Sequence, residues 1–324
     1  MKAIIPVAGI GKRLRPHTFN IPKALLNVAG KPILGHIVDS LLDMGVTELI
    51  PIVGYKGALI RDYLRAAYHL PISFVEQTEQ KGIAHAVSLA RRYADRSELV
   101  IILGDTIVKT DFKKVPEAGD YVLGVREVPD PERFGIAEVE DGVVRRIVEK
   151  PEHPASNLAL IGLYYFMDST PLFQACADII DKGIMTKGEY QITDALQLMI
   201  DRGIAFRPYH IDGWYDCGKI ETLLETNRVL LEDARPPASR EGCIIVPPCY
   251  VDPASTIVGS IIGPYVSIAK GCDIRHSIIE NSILNEGSSI ENVMLEGSVI
   301  GAFAELTGRR SSFNVSDYSQ IDYR

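Results

Sequence analysis

The sequence lacks the cysteine pattern and the long apolar run that would place it in several well-known classes. The five cysteines (Cys176, Cys217, Cys243, Cys249 and Cys272) include no Cys-x-x-Cys pair, so neither a disulfide framework nor a zinc cluster is indicated. The first apolar run ends at Gly9, too short for the core of a signal peptide and far too short to span a bilayer. We therefore expect a soluble, cytoplasmic protein with reduced, mainly structural thiols.

Basic residues are also in short supply. The 34 Lys and Arg residues against 42 Asp and Glu residues give a net charge of −8, which argues against non-specific binding to nucleic acid. The apolar content of 46% argues against a disordered chain, and 324 residues predict about two domains. We expect no nucleic-acid partner and no membrane partner.

Acidic residues are absent from the beginning of this acidic sequence. No Asp or Glu precedes Asp39. The basic residues of the same segment are Lys2, Lys12, Arg13, Arg15, Lys23 and Lys31. Such a segment suits a polyanion, because a polyanion repels carboxylates and attracts lysine and arginine.

The hydrophobic pattern of the first half predicts an α/β fold. Short β-branched runs at residues 3–7, 49–53, 72–75 and 99–103 are typical of strands that are buried on both faces. Apolar residues at helical spacing lie between these runs. This alternation indicates βαβ units and a mostly parallel sheet. Four strand-like runs and three helical segments follow between residues 121 and 233, so we expect an extended, mixed sheet.

The pattern changes after the breaker run at residues 234–239, which predicts a domain boundary at residue 238. Aliphatic residues then recur at spacings of five or six, and three such steps add up to one coil of a three-sided solenoid. These aliphatic positions are Ile245, Val251, Ile257, Ile262, Ile268, Ile274, Ile279, Leu284, Ile290, Leu295, Ile300 and Leu306. The alternative is a β-sandwich. The pattern resembles the left-handed parallel β-helix of hexapeptide-repeat proteins, and we assign residues 239–324 to it.

The loop at residues 9–23 carries the strongest local signal. Its glycines permit close backbone approach, its cations supply charge and its prolines stiffen the chain, a combination suited to wrapping a triphosphate. Leu14 stands where the dinucleotide-binding pattern needs its third glycine, and the Walker ending Gly-Lys-Ser/Thr is absent. Another kind of phosphate loop is therefore indicated.

This loop resembles the signature of the sugar-1-phosphate nucleotidyltransferases. The matching residues are Gly9, Gly11, Arg13, Pro16, Thr18, Pro22, Lys23, Lys31 and Pro32. The segments that fit the same family in the same order are Gln77, 82–86, 103–105, 133–135, 149–151, 162–164, 188–194 and 214–218. The resemblance covers residues 1–235 and implies, for the domain at residues 1–238, a Rossmann-like, mostly parallel or mixed sheet with helices on both faces. A β-helix tail is common in relatives.

The resemblance also implies a reaction and a set of site residues. A phosphate oxygen of a sugar 1-phosphate would attack the α-phosphorus of a nucleoside triphosphate and release pyrophosphate. The implied catalytic residues are Arg13, Lys23, Asp105 and Lys150, with Mg²⁺ held by Asp105 and Asp216. The implied nucleotide-binding residues are Ala8, Gly9, Gly11, Lys12, Arg13, Gln77 and Gly82. The implied sugar-phosphate-binding residues are Gly135, Glu149, Lys150 and Tyr164.

Gln77 bears on the nucleotide base, which by resemblance is read just before Gly82. A glutamine amide can donate and accept at once, which matches the O4 and N3–H edge of uracil or thymine. This favours UTP or dTTP over GTP and leaves the choice between those two open. Glucose 1-phosphate is the expected acceptor.

Simpler structural roles remain open for these residues. Asp105 could serve simply as a cap of the turn after its strand, and Asp216 could simply be part of a turn. Lys150 and Glu149 could be exposed residues at a strand edge, and Gln77 could be a polar strand end.

Other functions are also open. They are a mannose-1-phosphate guanylyltransferase and a non-catalytic paralogue that binds nucleotide-sugar for regulation or scaffolding. His276 is the only histidine after Pro236, so the tail offers little for a second, acyltransferase activity. For the tail we expect a role in assembly or regulation, and for the protein a homo-oligomer.

Overall fold

Strands and helices alternate along the first part of the chain in this computed structural model, which describes residues 1–309. Residues 310–324, which the predicted second domain includes, lie outside the described residues. The strands of the first part are β1 (Lys2–Pro6), β2 (Asn27–Val28), β3 (Lys31–Pro32), β4 (Glu48–Val53), β5 (Val75–Glu76), β6 (Leu99–Ile102), β7 (Thr106–Lys109), β8 (Tyr121–Glu127), β9 (Gly135–Glu140), β10 (Val143–Glu149), β11 (Leu158–Phe166), β12 (Arg207–His210) and β13 (Gly213–Asp216). The helices are α1 (Ile33–Asp43), α2 (Gly57–Ala67), α3 (Ile83–Leu89), α4 (Arg91–Ala94), α5 (Thr170–Asp181), α6 (Ile192–Asp201) and α7 (Ile220–Glu232).

A nine-stranded mixed sheet forms the core of this part. Its path runs β10-β9-β11-β6-β1-β4-β5, and β8 and β12 pair outside that path. Strands β6, β1, β4 and β5 are mutually parallel, whereas β11 is antiparallel to β6. The side chains of Ala3, Ile4 and Ile5 on β1 are fully buried, as expected for a strand with packing on both faces. The predicted Rossmann-like, mixed sheet is confirmed.

Five short strands of the first part were not predicted: β2, β3, β7, β12 and β13. Strands β7 and β13 form an antiparallel pair in which Asp216 lies opposite Thr106. Each has only four residues, too few for a clear apolar alternation. This pair places the segment that follows β6 beside the segment that ends at Asp216, which is the geometry on which the site depends.

The later part of the chain forms three four-stranded parallel sheets. The strands are β14 (Ile244–Ile245), β15 (Cys249–Val251), β16 (Thr256–Val258), β17 (Ile261–Ile262), β18 (Val266–Ile268), β19 (Asp273–Arg275), β20 (Ile278–Glu280), β21 (Ile283–Leu284), β22 (Ser289–Glu291), β23 (Met294–Glu296), β24 (Val299–Ile300) and β25 (Glu305–Thr307). The sheet orders are β14-β17-β20-β23, β15-β18-β21-β24 and β16-β19-β22-β25. Every third strand therefore returns to the same sheet, which fits the predicted left-handed β-helix.

The predicted aliphatic positions stack in register along these sheets. Ile257 pairs with Ile274, and Ile274 pairs with Ile290. The predicted positions from Val251 to Ile290 are buried in a single cluster. Leu306 at the last coil is 37% exposed, so within the described residues the buried column ends one coil earlier than predicted.

The chain divides into two units. One unit contains Met1–Asn27 and Lys31–Thr226, and the other contains Val28–Gly30 and the residues from Asn227 onward. The division lies inside α7, and the predicted boundary at residue 238, which lies beyond that helix, stays a prediction.

A short segment from early in the chain is built into the second unit. The backbone N–H of Ala29 donates to Asn227 Oδ1 at 2.8 Å, and Ser267 Oγ donates to the same oxygen at 2.7 Å. Asn227 Nδ2 donates to the carbonyl oxygen of Tyr265 at 3.2 Å. The Asn227 side chain is fully buried, and these bonds satisfy both ends of its amide. Asn227 therefore holds the segment Val28–Gly30 to the coils of its own unit.

None of the helices formed by residues 1–309 has the length and the apolar character needed to cross a bilayer.

The stacked column predicts that replacing an inward aliphatic residue by alanine costs much more stability than replacing an outward one on the adjacent strand. Ile274→Ala should destabilise the second unit by about 2–5 kcal/mol because its fully buried side chain would leave a cavity. Val258→Ala is the control, since Val258 is 39% exposed on the adjacent strand, and its cost should be about 0.5 kcal/mol or less. Hydrogen exchange of peptides from residues 250–300 measures both variants. Equal protection of the two variants would contradict the inward position of Ile274.

Candidate active site

A cavity of about 440 Å³ lies where the loops after β1 and β6 meet. Its volume is in the range of small-molecule sites, about 300–1,000 Å³, and loops beyond the carboxyl ends of parallel strands are the usual ligand position in such sheets. The predicted residues that line it are Ala8, Gly9, Gly11, Lys12, Arg13, Lys23, Gln77, Gly82 and Asp105. The structure therefore brings every predicted nucleotide-binding residue into one cavity.

The phosphate loop is held by contacts of its own. Thr18 Oγ1 donates to the Gly11 carbonyl oxygen at 2.9 Å, and Tyr55 Oη donates to the Phe19 carbonyl oxygen at 3.0 Å. Gly11 has a φ of 68°, and a Cβ there would lie 3.0 Å from the Lys23 Cβ. A Cβ at Gly9 would meet no atom within 4 Å. The loop is thus packed on one side and leaves space for a ligand beside Gly9.

Three charged side chains converge at the cavity, and two of them, Lys23 and Asp105, line it. Lys23 Nζ lies 2.9 Å from Asp105 Oδ2 and 3.9 Å from Asp216 Oδ1. The backbone N–H of Cys217 donates to the Asp105 carbonyl oxygen at 3.1 Å, which ties the two acidic segments together. A Cβ at Gly218 would lie 2.8 Å from Asp216 Oδ2 and 2.9 Å from Arg13 Nη2. The guanidinium of Arg13 therefore also borders this group.

The two carboxylates offer hard oxygen ligands of the kind that divalent metal ions bind. The side chains of Asp105 and Asp216 are 45% and 35% exposed, so a metal ion at these oxygens could keep several waters, as Mg²⁺ usually does beside substrate phosphates. Residues 1–309 contain no group of three or more His, Cys, Asp or Glu side chains that could hold a metal. The carboxylate pair of Asp105 and Asp216 is the set of oxygen ligands that the described residues offer at this place.

A buried amide also lines the cavity. Gln77 is 8% exposed, and its Nε2 lies 3.4 Å from the Gly82 carbonyl oxygen and 3.4 Å from His85 Nδ1. Nearby, Gln80 Nε2 donates to the Ala8 carbonyl oxygen at 2.9 Å. Gln77 is thus part of an ordered polar network and is more than a polar strand end.

The predicted sugar-phosphate residues form a second cluster, apart from the residues that line the cavity. Glu149 at the end of β10 pairs with Gly135 at the start of β9. Glu149 Oε2 accepts from Thr193 Oγ1 at 3.0 Å, and Glu149 Oε1 lies 3.3 Å from Lys150 Nζ. The Glu149 side chain is only 9% exposed, so it is no ordinary surface carboxylate. Burial, with a smaller effect of Glu149, raises the pKa of Tyr164.

One segment connects the two clusters. Glu189 lines the cavity, and Thr193, four residues later at the first turn of α6, bonds Glu149. The next residue, Asp194, accepts from Thr186 Oγ1 at 3.1 Å, and burial raises the pKa of its carboxyl group. Residues 188–194 were singled out by family resemblance, but no site role was predicted for any of them.

Other site residues were missed for different reasons. Gln80 carries an ordinary polar side chain with no distinctive spacing, so no sequence signal separates it from surface residues. His85 lies in the segment 82–86 that resembles the family, but no role was predicted for it. Gly218 lies in the segment 214–218 that resembles the family, and that resemblance was the available signal. Each of these residues acts through a contact with a predicted residue.

Some cations of the segment before Asp39, which contains no acidic residue, have partners outside the cavity. Lys31 Nζ pairs with Asp39 on α1, and Lys2 Nζ lies 3.0 Å from Glu48 on β4. Lys12, Arg13 and Lys23 are the ones that line the cavity. The segment therefore supplies charge to the cavity and also fastens α1 and β4 to the chain's first residues.

The cysteine that follows Asp216 has a structural role. Cys217 is fully buried, and burial raises the pKa of its thiol to about 12. Its Sγ contacts Thr226 Oγ1 at 3.7 Å. A thiol with this pKa stays protonated at neutral pH and is a poor nucleophile.

Comparisons with known proteins agree with the sequence resemblance. The model of the nucleotidyl transferase family matches residues 2–233. A glucose-1-phosphate thymidylyltransferase of Streptomyces griseus is 32% identical over 95% of this chain and 94% of that protein. A UTP–glucose-1-phosphate uridylyltransferase of Haloferax volcanii is 35% identical over 72% of this chain and 98% of that protein.

The fold of the first part has a counterpart among solved structures. A UDP-glucose pyrophosphorylase complexed with UDP-glucose superposes with a TM-score of 0.63. It covers 72% of this chain and 99% of its own length at 24% identity.

Gly82 provides a test of how the cavity is built. Its φ of 106° and ψ of 171° lie in a region that is essentially restricted to glycine, and strain there costs about 1–3 kcal/mol. A Cβ would also lie 2.3 Å from the Tyr190 carbonyl oxygen. Gly82→Ala should therefore lower both the free energy of unfolding and the affinity for UTP, measured by denaturant titration and calorimetry.

Gly203→Ala is the matched control for that variant. Gly203 also has a positive φ, 89°, but a Cβ there meets no atom within 4 Å. The Gly203→Ala variant should have a lower free energy of unfolding and an unchanged affinity for UTP. Unchanged UTP affinity in Gly82→Ala would show that Gly82 does not shape the nucleotide site.

Proposed function

Because the chain belongs to the nucleotidyl transferase family, we propose that it transfers a nucleotidyl group from UTP or dTTP to a sugar 1-phosphate, with glucose 1-phosphate as the expected acceptor. The domain that carries this activity is predicted to span residues 1–238. The observation that carries the proposal is the convergence of Lys23, Asp105 and Asp216 beside a glycine-containing loop that lines the cavity. The names of the thymidylyl and uridylyl relatives support the choice of substrates.

The proposed reaction needs no general base. A phosphate oxygen of the sugar 1-phosphate forms a bond to the α-phosphorus of the triphosphate, and the bond between that phosphorus and the bridging oxygen of the β-phosphate breaks. The pyrophosphate leaves with the bonding electron pair. Because the attacking phosphate is already ionised at neutral pH, the protein must bring two anions together and stabilise the charge that develops between them.

The cations of the phosphate loop fit the triphosphate. We assign Arg13, Lys12 and Lys23 to it, together with the backbone of Ala8, Gly9 and Gly11. Arg13 offers a planar set of N–H donors, which suits phosphate oxygens, and Lys23 offers a compact point charge. Lys23 also holds Asp105 in place before any substrate arrives.

Asp105 and Asp216 would hold a divalent metal ion, which we propose to be Mg²⁺. When bound, the ion would neutralise charge on the phosphates of the substrates. The contribution of the chain is the placement of the two carboxylates through the pairing of β7 with β13. Asp105 also accepts from Thr106 Oγ1 at 3.3 Å, so a local turn contact accompanies the proposed metal role.

The Glu149 cluster would bind the sugar phosphate. We assign the phosphate to Lys150, whose side chain is 47% exposed, and a sugar hydroxyl to Glu149. Thr193 and Lys150 each contact one oxygen of the Glu149 carboxylate, so this side chain is oriented in advance. Gly135 gives close access, because a Cβ there would lie 3.1 Å from Glu149 Oε2. Besides burial, the charge of Glu149 reaches Tyr164 and raises its pKa.

The alternatives predict a different site or a different substrate. A non-catalytic paralogue would be expected to lack some of the charged groups, yet Arg13, Lys23, Asp105, Lys150 and Asp216 are all present. A mannose-1-phosphate guanylyltransferase would prefer GTP, which the assay below distinguishes. We propose that the enzyme acts in the cytoplasm.

The proposed activity is tested by pyrophosphate release. The protein is incubated with Mg²⁺, with each of UTP, dTTP, GTP, ATP and CTP, and with a panel of sugar 1-phosphates. We expect turnover with UTP or dTTP and glucose 1-phosphate. Asp105→Asn should reduce it at least about 100-fold, as does loss of a group that stabilises transition-state charge, whereas Asp111→Asn, on the exposed loop after β7, should keep it. No release with any pair would refute the proposal, and a preference for GTP would refute the choice of pyrimidine.

We propose a homo-oligomer on the basis of one face of the second unit. Outward side chains of the sheet β14-β17-β20-β23 form a ladder of Ile244, Ile261, Ile278 and Met294 in register. Ile244 is 59%, Ile278 is 42% and Met294 is 78% exposed. Contiguous exposed apolar groups of this kind mark interaction sites, and a two-fold axis can pair such a stripe with itself. The occupant we propose is the same ladder of a second copy.

Light scattering of the purified protein tests this interface. We expect a dimer or a larger closed oligomer at micromolar concentration. The double variant Ile278→Lys/Met294→Lys should be monomeric, because two charges per copy would have to be desolvated. Asp273→Lys/Ser289→Lys, on the polar face of the same coils, is the control and should keep the native mass. A monomeric native protein, or an unchanged mass of the ladder variant, would refute the interface.

A further inference from the structure

The hydrogen bonds of Gln77 leave only one end of its amide available. The Gly82 carbonyl oxygen can only accept, so the amide atom 3.4 Å from it must be the Nε2 donor. The other Nε2 hydrogen faces His85 Nδ1, also at 3.4 Å. No described residue contacts Gln77 Oε1 by a hydrogen bond that the structure shows, and Gln77 lines the cavity. The free polar atom of this side chain is therefore an acceptor, and the expectation that the amide would both donate to and accept from the base is corrected to acceptance alone.

The same geometry fixes the state of His85. Because Gln77 Nε2 donates, His85 Nδ1 must accept, which requires a neutral imidazole with its proton on Nε2. Burial and, less strongly, the charge of Lys81 lower the pKa of His85 below 6.5, while Glu79 acts in the opposite direction. Lys81 and Glu79 pair with each other beside the imidazole. The neutral imidazole is thus the form present at neutral pH.

We propose that His85 is a positioning residue for the nucleotide base: its Nδ1 holds the Gln77 amide so that Oε1 is presented to the N3–H of uracil or thymine. This rests on the proposed function, in which Gln77 contacts the base, and names how that contact is oriented. His85 itself touches neither the base nor the reacting phosphates in this proposal. His85 lies in the first turn of α3, 3.4 Å from Gln77 Nε2, and is not among the residues that line the cavity.

The fixed orientation gives a reason for discrimination between pyrimidines. Uracil and thymine carry a donor at N3, which Oε1 can accept. Cytosine carries an acceptor at N3, so the same oxygen would face a lone pair and both groups would be left unpaired, a costly outcome in a buried site. Reversal of the amide would bring Oε1 against the Gly82 carbonyl oxygen, so the protein resists adapting to cytosine.

Protonation of His85 would disturb this arrangement. An imidazolium has a donor at Nδ1, and that donor would face the donor at Gln77 Nε2. The amide cannot reverse to relieve this contact without losing its bond to Gly82. We therefore expect the preference for uracil or thymine over cytosine to weaken as the pH falls through the pKa of His85, with kcat changed less than the KM for the triphosphate.

Calorimetric titration of the full chain with UTP, dTTP and CTP at pH 7.5 and pH 5.5 tests the role of His85. His85→Leu keeps the packing but has no acceptor for the Gln77 amide. We expect the ratio of CTP to UTP dissociation constants to fall about tenfold at pH 7.5, because one hydrogen bond is lost. His85→Asn places an acceptor oxygen near the position of Nδ1 and should restore the ratio. It should also remove the change of the ratio with pH, because asparagine does not titrate. His153→Leu, at an exposed position, is the control and should match the native protein.

The outcomes separate this inference from the proposed function. The comparison of variants cancels the titration of the nucleotides, because each nucleotide is the same in every arm. A native ratio in His85→Leu, or a native pH dependence in His85→Asn, would overturn the role of His85 even if pyrophosphate release is normal. Absence of pyrophosphate release with preserved, His85-dependent UTP binding would refute the catalytic proposal and leave the positioning role standing. Failure of the native protein to prefer UTP or dTTP over CTP would overturn the positioning role.

Discussion

The contact of one ammonium group with two carboxylates is the interaction on which the first unit depends. Lys23 is 9% exposed, and its Nζ lies between Asp105 and Asp216. A buried charge of this kind is tolerated only with partners, so three distant segments of the chain must meet at one place. These segments are the loop after β1, the loop after β6 and the strand β13. The fold of the first unit brings all three together at Lys23.

The rest of the cavity shows the same preference for groups that are fixed before a ligand binds. Thr18 holds the phosphate loop, Thr193 holds Glu149, and His85 with Gly82 holds Gln77. In each case a neutral side chain or a backbone carbonyl positions a group that would contact substrate. Preorganised polar groups need little rearrangement during the reaction, which is the main source of electrostatic catalysis. The neutral residues are thus as much a part of the site as the charged ones.

The sequence predicted the parts of the fold that repeat and missed the parts that are short. Buried β-branched runs and aliphatic residues at every fifth or sixth position indicated the sheet and the solenoid, because burial imposes a period on the chain. The β7–β13 pair was missed, since four residues per strand carry no period, although it brings Asp216 near Asp105. Family resemblance supplied Gln77 and Glu149, but their partners His85 and Thr193 depend on contacts that no single sequence reveals.

The segment Val28–Gly30 changes how the second unit should be regarded. The chain enters that unit at residue 28, returns to the first unit at residue 31, and enters it again at residue 227. The second unit is therefore assembled from two pieces of sequence, and the earlier piece lies between Lys23 and α1. A truncation after residue 238 would remove Tyr265 and Ser267, so the Asn227 amide would keep its bond to Ala29 and lose both of its bonds to the coils. The loss of the solenoid would therefore also be felt early in the chain, because the Asn227 amide that bonds Ala29 would no longer be held by coil residues.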